Sequence, residues 1–318
     1  MNDIDLFSLF LEMSCFSRDE AYEISRHFES YNGSMTEFVK EYLLNKCKTI
    51  FLSSTLLKFS MAYDDLNIRN KVKSALSVLN DHKFIRGDLH IHTNWSDGNN
   101  SIEEMAEKAK QLGYDYISIT DHSLVNKGKI EMNEKKFIKQ IEKIDEIQKF
   151  HKVRIIRGIE IDINDNGSLD YTSKVIEMAD LVIGSIHFDY GKGETKTIEL
   201  LTELLNNEQI DIIGHPLNKI NKNSFLKNLD KIMSLAEKNT KILEINLSPD
   251  RIEESNFLVK YINSSNIMFS FGTDSHTEKQ MELINLSNLW IDEIRKEKIL
   301  NTYEDPLKVL LKKRYKIS

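Results

Sequence analysis

Cysteine is nearly absent from this chain: only Cys15 and Cys47 occur among 318 residues. Two thiols cannot make a disulfide framework, and nothing in their spacing favours one bridge. Both read as buried thiols in a reduced, cytoplasmic setting. No apolar run approaches the roughly 20 residues that a bilayer-spanning helix needs, so no membrane association is expected. The opening MNDIDLFSLFLEMS has neither a basic stretch nor a small-residue cleavage site, and does not read as a signal peptide. A surplus of positive charge is missing too: 43 Lys and Arg stand against 50 Asp and Glu, a net charge of -7. That balance speaks against a broad, non-specific nucleic-acid surface. Internal repeats and low-complexity tracts are also missing.

The first 83 residues lack proline and hold one glycine, Gly33. They lack alternating apolar runs as well. Their apolar residues recur at helical spacing, as in Leu6, Leu9, Phe10 and Met13, or Val72, Ala75, Leu76 and Leu79. Ser17 with Glu20, and Ser34 with Glu37, resemble capping boxes. The expectation is a small helical domain over residues 1–83, of unknown role and with an unknown protein partner. Such a segment cannot hold a polymerase palm, so nucleotide polymerisation is not predicted.

From residue 84 the pattern changes to strands alternating with helices. Seven β-runs are legible: FIRGDLHIH, YDYISITDH, VRIIRGIEIDI, LVIGSIH, IDIIGHP, KILEINLSP and IMFSFGTDSH. Intervening helices are expected at 101–112, 134–149, 172–179, 195–207, 222–238 and 251–264, with tail helices at 288–299 and 305–315. Continuous apolar runs are the mark of strands buried on both faces, as in a parallel α/β sheet.

Six of the nine histidines stand where these runs end: His90, His92, His122, His187, His215 and His276. Asp97, Asp121, Glu160 and Asp274 stand among them. Imidazole and carboxylate are ligands for divalent transition metals, and the C-terminal ends of parallel strands converge at one mouth of an α/β barrel. His90 and His92 share a strand face, as do Asp274 and His276. Glu160 sits inside an apolar strand, where an unpaired carboxylate costs several kcal/mol; bridging two cations would remove that cost. Asp162, two residues on, reads either as a support behind a ligand or as a plain strand-end acid. His27, His82 and His151 lie away from strand ends and are assigned no role. The pattern points to a metal-dependent hydrolase.

The stretch GDLHIHTNWSDGNNSIEEMAEKAKQLGYDYISITDHS, followed in order by GIEIDI, SIH, GHP, EINLSPDR and GTDSH, resembles the PHP (polymerase and histidinol phosphatase) domain family. In detail it is most similar to the PHP domain of bacterial family X DNA polymerases, without the polymerase part. The resemblance covers residues 84–318. It implies a distorted seven-stranded, TIM-like (β/α) barrel binding three divalent ions (Zn, Mn or Fe). It also implies hydrolysis of a phosphate ester by a metal-bound hydroxide. Carried over to this sequence, it implies that His90, His92, Glu160 and Asp274 hold one ion. Glu160 bridges to a second with His187 and His215, and Asp97, His122 and His276 hold a third. Asp121 is expected either to orient an imidazole or to act as acid or base near the leaving group. Arg251 and Lys219 are candidate phosphate contacts, although Lys219 reads equally as solvated surface.

Two departures from the family X pattern bear on the substrate. Leu217-Asn218-Lys219 stands where those relatives carry Thr-Gly-Arg, and Phe188 stands where they carry a small residue. The basic stretch from Lys219 to Lys241 reads as a solvated helix face or as a track for a nucleic-acid backbone. The substrate expected is therefore a small phosphomonoester, with histidinol phosphate as the specific alternative, or a nucleic-acid 3′ end. From a different class, a metal-stabilised adaptor without catalysis is the competing expectation.

Overall fold

The computed structural model describes residues 84–318 except 126–129, 188–192, 249–250, 263–264, 291–293 and 316–318. The helical domain expected over residues 1–83, with its two cysteines, lies outside the described residues.

Seven parallel strands form one sheet in the order β1 (Gly87–Ile91), β2 (Tyr116–Ile119), β5 (Arg154–Asp162), β6 (Leu181–Ser185), β7 (Ile212–Ile213), β8 (Ile242–Asn246) and β9 (Met268–Gly272). A two-stranded hairpin, β3 (Leu124–Val125) with β4 (Ile130–Glu131), follows β2 and was not expected. The helices are α1 (Ile102–Leu112), α2 (Glu134–Gln148), α3 (Ser173–Ile176), α4 (Gly193–Asn206), α5 (Lys222–Lys227), α6 (Leu229–Lys238), α7 (Ile252–Ile262) and α8 (Pro306–Tyr315). The sheet curls into a nearly closed barrel, because the backbone of the segment after β9 meets β1: His92 N donates to Ser275 O at 2.8 Å, and Asp274 N donates to His90 O at 3.0 Å.

Lower along the β1–β9 seam, side chains replace the ladder. The buried Asp88 carboxylate accepts from Thr273 N and His90 N, both at 3.2 Å, and from the Thr273 hydroxyl. Burial pushes its carboxyl up to about 7 against those hydrogen bonds. At the bottom, the fully buried Asn301 donates from Nδ2 to Gly87 O and to Phe271 O, each at 2.9 Å. Its Oδ1 accepts from Phe271 N at 2.7 Å. One amide thus does the work of a missing strand pairing.

The lumen has two layers. Its floor is apolar, with at least one residue from every strand: Leu89, Tyr116, Ile156, Leu181, Ile212, Ile242 and Met268. Leu300, Leu307 and Leu310 close it from below. Above this floor, towards the C-terminal mouth, the inward positions turn polar: Glu160, Ser185, Glu244 and Asn246 are all buried. A second, larger apolar layer lies between the barrel and its helices, around Ile117, Ile161, Leu243, Phe271 and Phe137.

The local signals act as expected at α1. The Ser101 hydroxyl accepts from Glu104 N, the Glu104 carboxylate accepts from Ser101 N, and Gly113 ends the helix in the left-handed region at φ 75°. The single helix expected at 222–238 is two, broken at Asn228, whose amide donates back to Ser224 O at 2.9 Å. Among the described residues of 288–299, no α-helix is found where the tail helix is expected. A ten-residue 3₁₀ helix runs over Gln280–Leu289, and short 3₁₀ turns follow at Lys296–Lys298 and Leu300–Thr302. Pairing of Ile299 with Phe269 and the seam bonds of Asn301 fix this stretch against the barrel, overriding its local preference.

Asn301→Ala should lower the free energy of unfolding by about 2–5 kcal/mol, because it strands backbone groups on both edge strands. Chemical denaturation of the two proteins checks this; an unchanged midpoint would show that the seam does not depend on the amide.

Candidate metal centre

The C-terminal mouth gathers nine side chains: His90 and His92 at the end of β1, Asp97 in the following loop, His122 after β2, Glu160 in β5, His187 after β6, His215 after β7, and Asp274 and His276 after β9. Glu160 stands at their middle and is buried. Its two oxygens face different groups. Oε2 lies 3.4 Å from His90 Nε2 and 3.5 Å from His92 Nε2. Oε1 lies 3.0 Å from His215 Nε2 and 3.4 Å from His187 Nε2, and accepts from Ser185 Oγ at 2.5 Å. Asp274 Oδ1 is 3.0 Å from His92 Nε2 and 3.7 Å from His90 Nε2. Asp97 Oδ2 is 3.5 Å from His122 Nε2 and 3.3 Å from His276 Nε2. His122 joins the two halves, with Nδ1 2.9 Å from Glu160 Oε2.

Three subsets have donor atoms close enough to share an ion: His92, Asp97, His122 and His276; His90, His92 and Asp274; and His122, Glu160 and His187. Hydrogen bonding alone leaves the cluster unsatisfied. His90 Nε2, both nitrogens of His92, His122 Nδ1, His215 Nδ1 and Glu160 Oε2 are buried without a hydrogen-bond partner. Buried polar atoms are ordinarily paired, and so many orphaned nitrogen and oxygen lone pairs around one carboxylate suit divalent cations.

The outer ring nitrogens are held from behind. Glu244 Oε1 lies 2.6 Å from His90 Nδ1, while its Oε2 accepts from His215 N at 2.7 Å. Asp162 Oδ1 lies 2.8 Å from His187 Nδ1 and accepts from His187 N at 3.2 Å. Of the two readings of Asp162, this is the support behind a ligand. His276 Nδ1 lies 2.8 Å from its neighbour carbonyl, Asp274 O. Such partners fix the tautomer so that Nε2 points its lone pair inward. Glu244 is absent from the sequence expectations. Its signal was available, since a lone carboxylate inside the apolar run KILEINL invites the argument made for Glu160.

Two glycines leave room for this arrangement. A Cβ on Gly272 would sit 2.1 Å from Glu244 Oε1 and 2.7 Å from His90 Cβ, and one on Gly214 would sit 2.4 Å from Ser185 Oγ.

Asp121 does not fit its expected role. Its buried carboxylate accepts from Thr93 N at 2.7 Å, Ser96 N at 3.2 Å, the hydroxyls of both residues, and Gln140 Nε2. With five donors it holds the 93–97 loop; it is neither turned to an imidazole nor free to act as acid or base. Arg251 lines one shallow cavity with His215, Glu244 and Asn246, and its Nη1 donates to Asn218 Oδ1 at 2.8 Å. Lys219 is exposed, at a left-handed φ of 61°.

The charges are strongly coupled. Burial pulls His90, His92, His122, His187 and His276 down, and it holds His92 at about 3, helped by repulsion from His122 and His276. At His90 burial is outweighed by Glu244, Glu160 and Asp274, which lift it well above its ordinary value. At His122 burial is outweighed by Glu160 and Asp97. His276 is lifted to about 9 against burial, chiefly by Asp97 and Asp274. Burial would raise Glu160, but His187, His122 and His90 hold it well below the carboxylate range. Glu160, Asp97 and Asp274 stay ionised, and without cations His90, His122 and His276 carry protons to match.

Gly272→Ala, which pushes Glu244 off His90, should weaken zinc binding by about 10–100-fold with the barrel intact. Competition with a chromophoric chelator measures the affinity and circular dichroism monitors the fold; unaltered affinity would remove Glu244 from any part in the site.

The PHP domain family matches residues 88–248, just over half of the chain. The chain is 34% identical over 201 residues to a DNA polymerase/3′-5′ exonuclease PolX of Bacillus subtilis, covering 62% of this chain and 35% of that protein. It thus spans about a third of the polymerase's length. It is 27% identical over 246 residues to a probable phosphatase of Thermoanaerobacter sp. strain X514, covering 71% of this chain and 94% of that one. The fold is similar to that of histidinol phosphate phosphatase from Lactococcus lactis, solved with zinc, L-histidinol and phosphate. The TM-score is 0.50 at 21% identity, over 65% of this chain and 93% of that one. Sequence motifs, parallel barrel and family match agree: this chain belongs to the PHP domain family.

Proposed function

We propose that this chain is a metal-dependent phosphoesterase, a hydrolase that cleaves a phosphate ester at the mouth of its barrel. The observation that carries the reading is the division of labour on Glu160, whose buried Oε1 faces His187 and His215 while its Oε2 faces His90, His92 and His122. The family and the phosphatase relatives support it.

His90, His92, Glu160 and Asp274 would hold one ion, Glu160, His187 and His215 a second, and Asp97, His122 and His276 a third. Zinc, manganese and iron all accept such donors, and the zinc of the Lactococcus protein makes zinc the first to test. Bound divalent ions would lower the pKa of water towards about 7 and neutralise charge developing on the phosphoryl oxygens. The chain's own residues supply the geometry. Glu160 would offer one oxygen to each of two neighbouring ions, and Glu244 and Asp162 keep His90 and His187 in one tautomer. Arg251, beside His215, offers a fixed positive charge to the phosphate, and exposed Lys219 offers a second at the rim. Asp121 keeps the Asp97 loop in place and moves no proton.

Two substrate classes remain in play. The phosphatase relatives favour a small phosphomonoester such as histidinol phosphate, and the PolX relative favours a nucleic-acid 3′ end. Among the described residues no helix is long and apolar enough to cross a membrane. We place the enzyme in the cytoplasm as part of the same reading.

Purified protein loaded with Zn²⁺ or Mn²⁺ should release phosphate or nucleotides from a panel of phosphomonoesters and 3′-ended DNA and RNA. His92→Ala and Glu160→Ala should each reduce turnover to background. No release from any member of the panel would overturn the reading.

Loading should also expel protons. A raised imidazole pKa means that His90, His122 and His276 are protonated at about pH 7, and a cation binds only the neutral ring. Affinity should therefore rise with pH through the neutral range. Calorimetric titration in buffers of different ionisation enthalpy counts the protons; zero net release would contradict the assigned ligands.

A further inference from the structure

The nine candidate ligands are not equally supported. His90, His92, Glu160 and His215 are at most 1% exposed at their side chains, and Glu160 and His90 lie within strands. The group of Asp97, His122 and His276 is different. Its Asp97 and His276 side chains are 37% and 33% exposed, and both stand on loops. Resting on the metal-dependent reading above, we propose that Asp97, His122 and His276 form a separate, weaker cation site that gains and loses its ion independently of the other two. Asp121 and Gln280 act as its positioning residues.

The argument runs from the backbone outward. Two loops supply the exposed members of the site, Asp97 from the one after β1 and His276 from the one after β9, and His122 joins them from the end of β2. They are laced to each other: Asn99 N donates to His276 O at 2.7 Å, and Glu278 N donates to Asn100 Oδ1 at 3.0 Å. Each loop has its own post. Asp121 gathers the first through Thr93 and Ser96, and is itself tied to α2 by Gln140. Gln280 gathers the second, its Oε1 accepting from His276 N at 2.7 Å and Thr277 N at 3.0 Å. Gln280 opens the ten-residue 3₁₀ helix. That helix is pinned to α1 by the buried Lys108–Glu282 ion pair, and Tyr114 Oη donates to Met281 O at 2.9 Å beside it. Long 3₁₀ runs are uncommon and often mark a hinge.

Two physical consequences set the site apart. Exposed ligands attract an ion through a medium nearer to water, so each contributes less. Asp97 and His276, on loops and about a third exposed, must also be ordered, an entropic cost that the buried strand residues His90 and Glu160 do not carry. His122 connects this site to the others, since its Nε2 faces Asp97 while its Nδ1 faces Glu160 Oε2 at 2.9 Å. When the loop site empties, His122 still faces Glu160 through Nδ1, and His90, His92, His187 and His215 keep their places around its two oxygens.

Equilibrium dialysis and calorimetry of the whole chain with Zn²⁺, and again with Mn²⁺, test the proposal by stoichiometry and affinity, with no activity measurement. The wild type should bind two ions tightly and a third about ten-fold or more weakly. Gln280→Ala and Asp121→Asn, neither a candidate ligand, should keep the two tight ions unchanged. Each should weaken the third by a further ten-fold or so, and excess cation should restore full loading. Asp97→Asn should give the same two-ion protein. Should Asp121→Asn fail to fold, Gln280→Ala alone decides, since it alters a half-buried turn. Three ions of equal affinity, a total of two, or joint loss of all three in Gln280→Ala would each overturn the proposal. A wild type that binds no divalent ion would instead defeat the phosphoesterase reading itself.

Discussion

A single buried carboxylate organises the mouth of this barrel. Glu160 sits in the wall at 1% exposure, where an uncompensated charge costs several kcal/mol. Five imidazoles and one hydroxyl surround its two oxygens, and positive charge there, whether proton or cation, is what makes the position tolerable. Neighbouring features follow from it. Gly214 stays small so that Ser185 can reach Oε1, Gly272 stays small so that Glu244 can reach His90, and Asp162 turns to His187. The outer partners hold the imidazoles to the one orientation in which they converge.

Stability and chemistry are stacked along the same strands. The apolar floor, sealed by Leu300, Leu307 and Leu310, carries hydrophobic burial, and the polar layer above it carries the site. This is the ordinary division of an α/β barrel, with function at the C-terminal end of the strands. The backbone is strained at the mouth itself. His215 and Asp274 adopt positive φ of 25° and 55°, a conformation that costs of order 1–3 kcal/mol each. Glu244 accepts from His215 N, and His90 O accepts from Asp274 N, so the surrounding network holds both in place.

Much of this was legible in residue order. Continuous apolar runs gave away strands buried on both faces, and histidines at their ends marked one mouth. Glu160 declared itself by being a carboxylate in an apolar strand. Glu244 obeys the same logic, but no histidine stands beside it in the sequence; its partners are 154 and 29 residues away. Asp121 is the opposite case. Adjacency to His122 suggested a partnership, but on a strand end neighbouring side chains point apart, and the carboxylate turned to Thr93, Ser96 and Gln140.

Residue order alone determined the alternation of strands and helices, the parallel sheet, and the donor types at the strand ends, because period and polarity are local properties of a chain. Only the tertiary structure decided what depends on contacts between distant segments. Asn301 closes the barrel seam across more than two hundred residues, and Ile299 pairs with Phe269 where the tail helix is expected to end. The two loops around Asp97 and His276 make one site by hydrogen bonding to each other. Those outcomes follow from which backbone groups are left unpaired once the barrel forms, and that is a property of the closed shape.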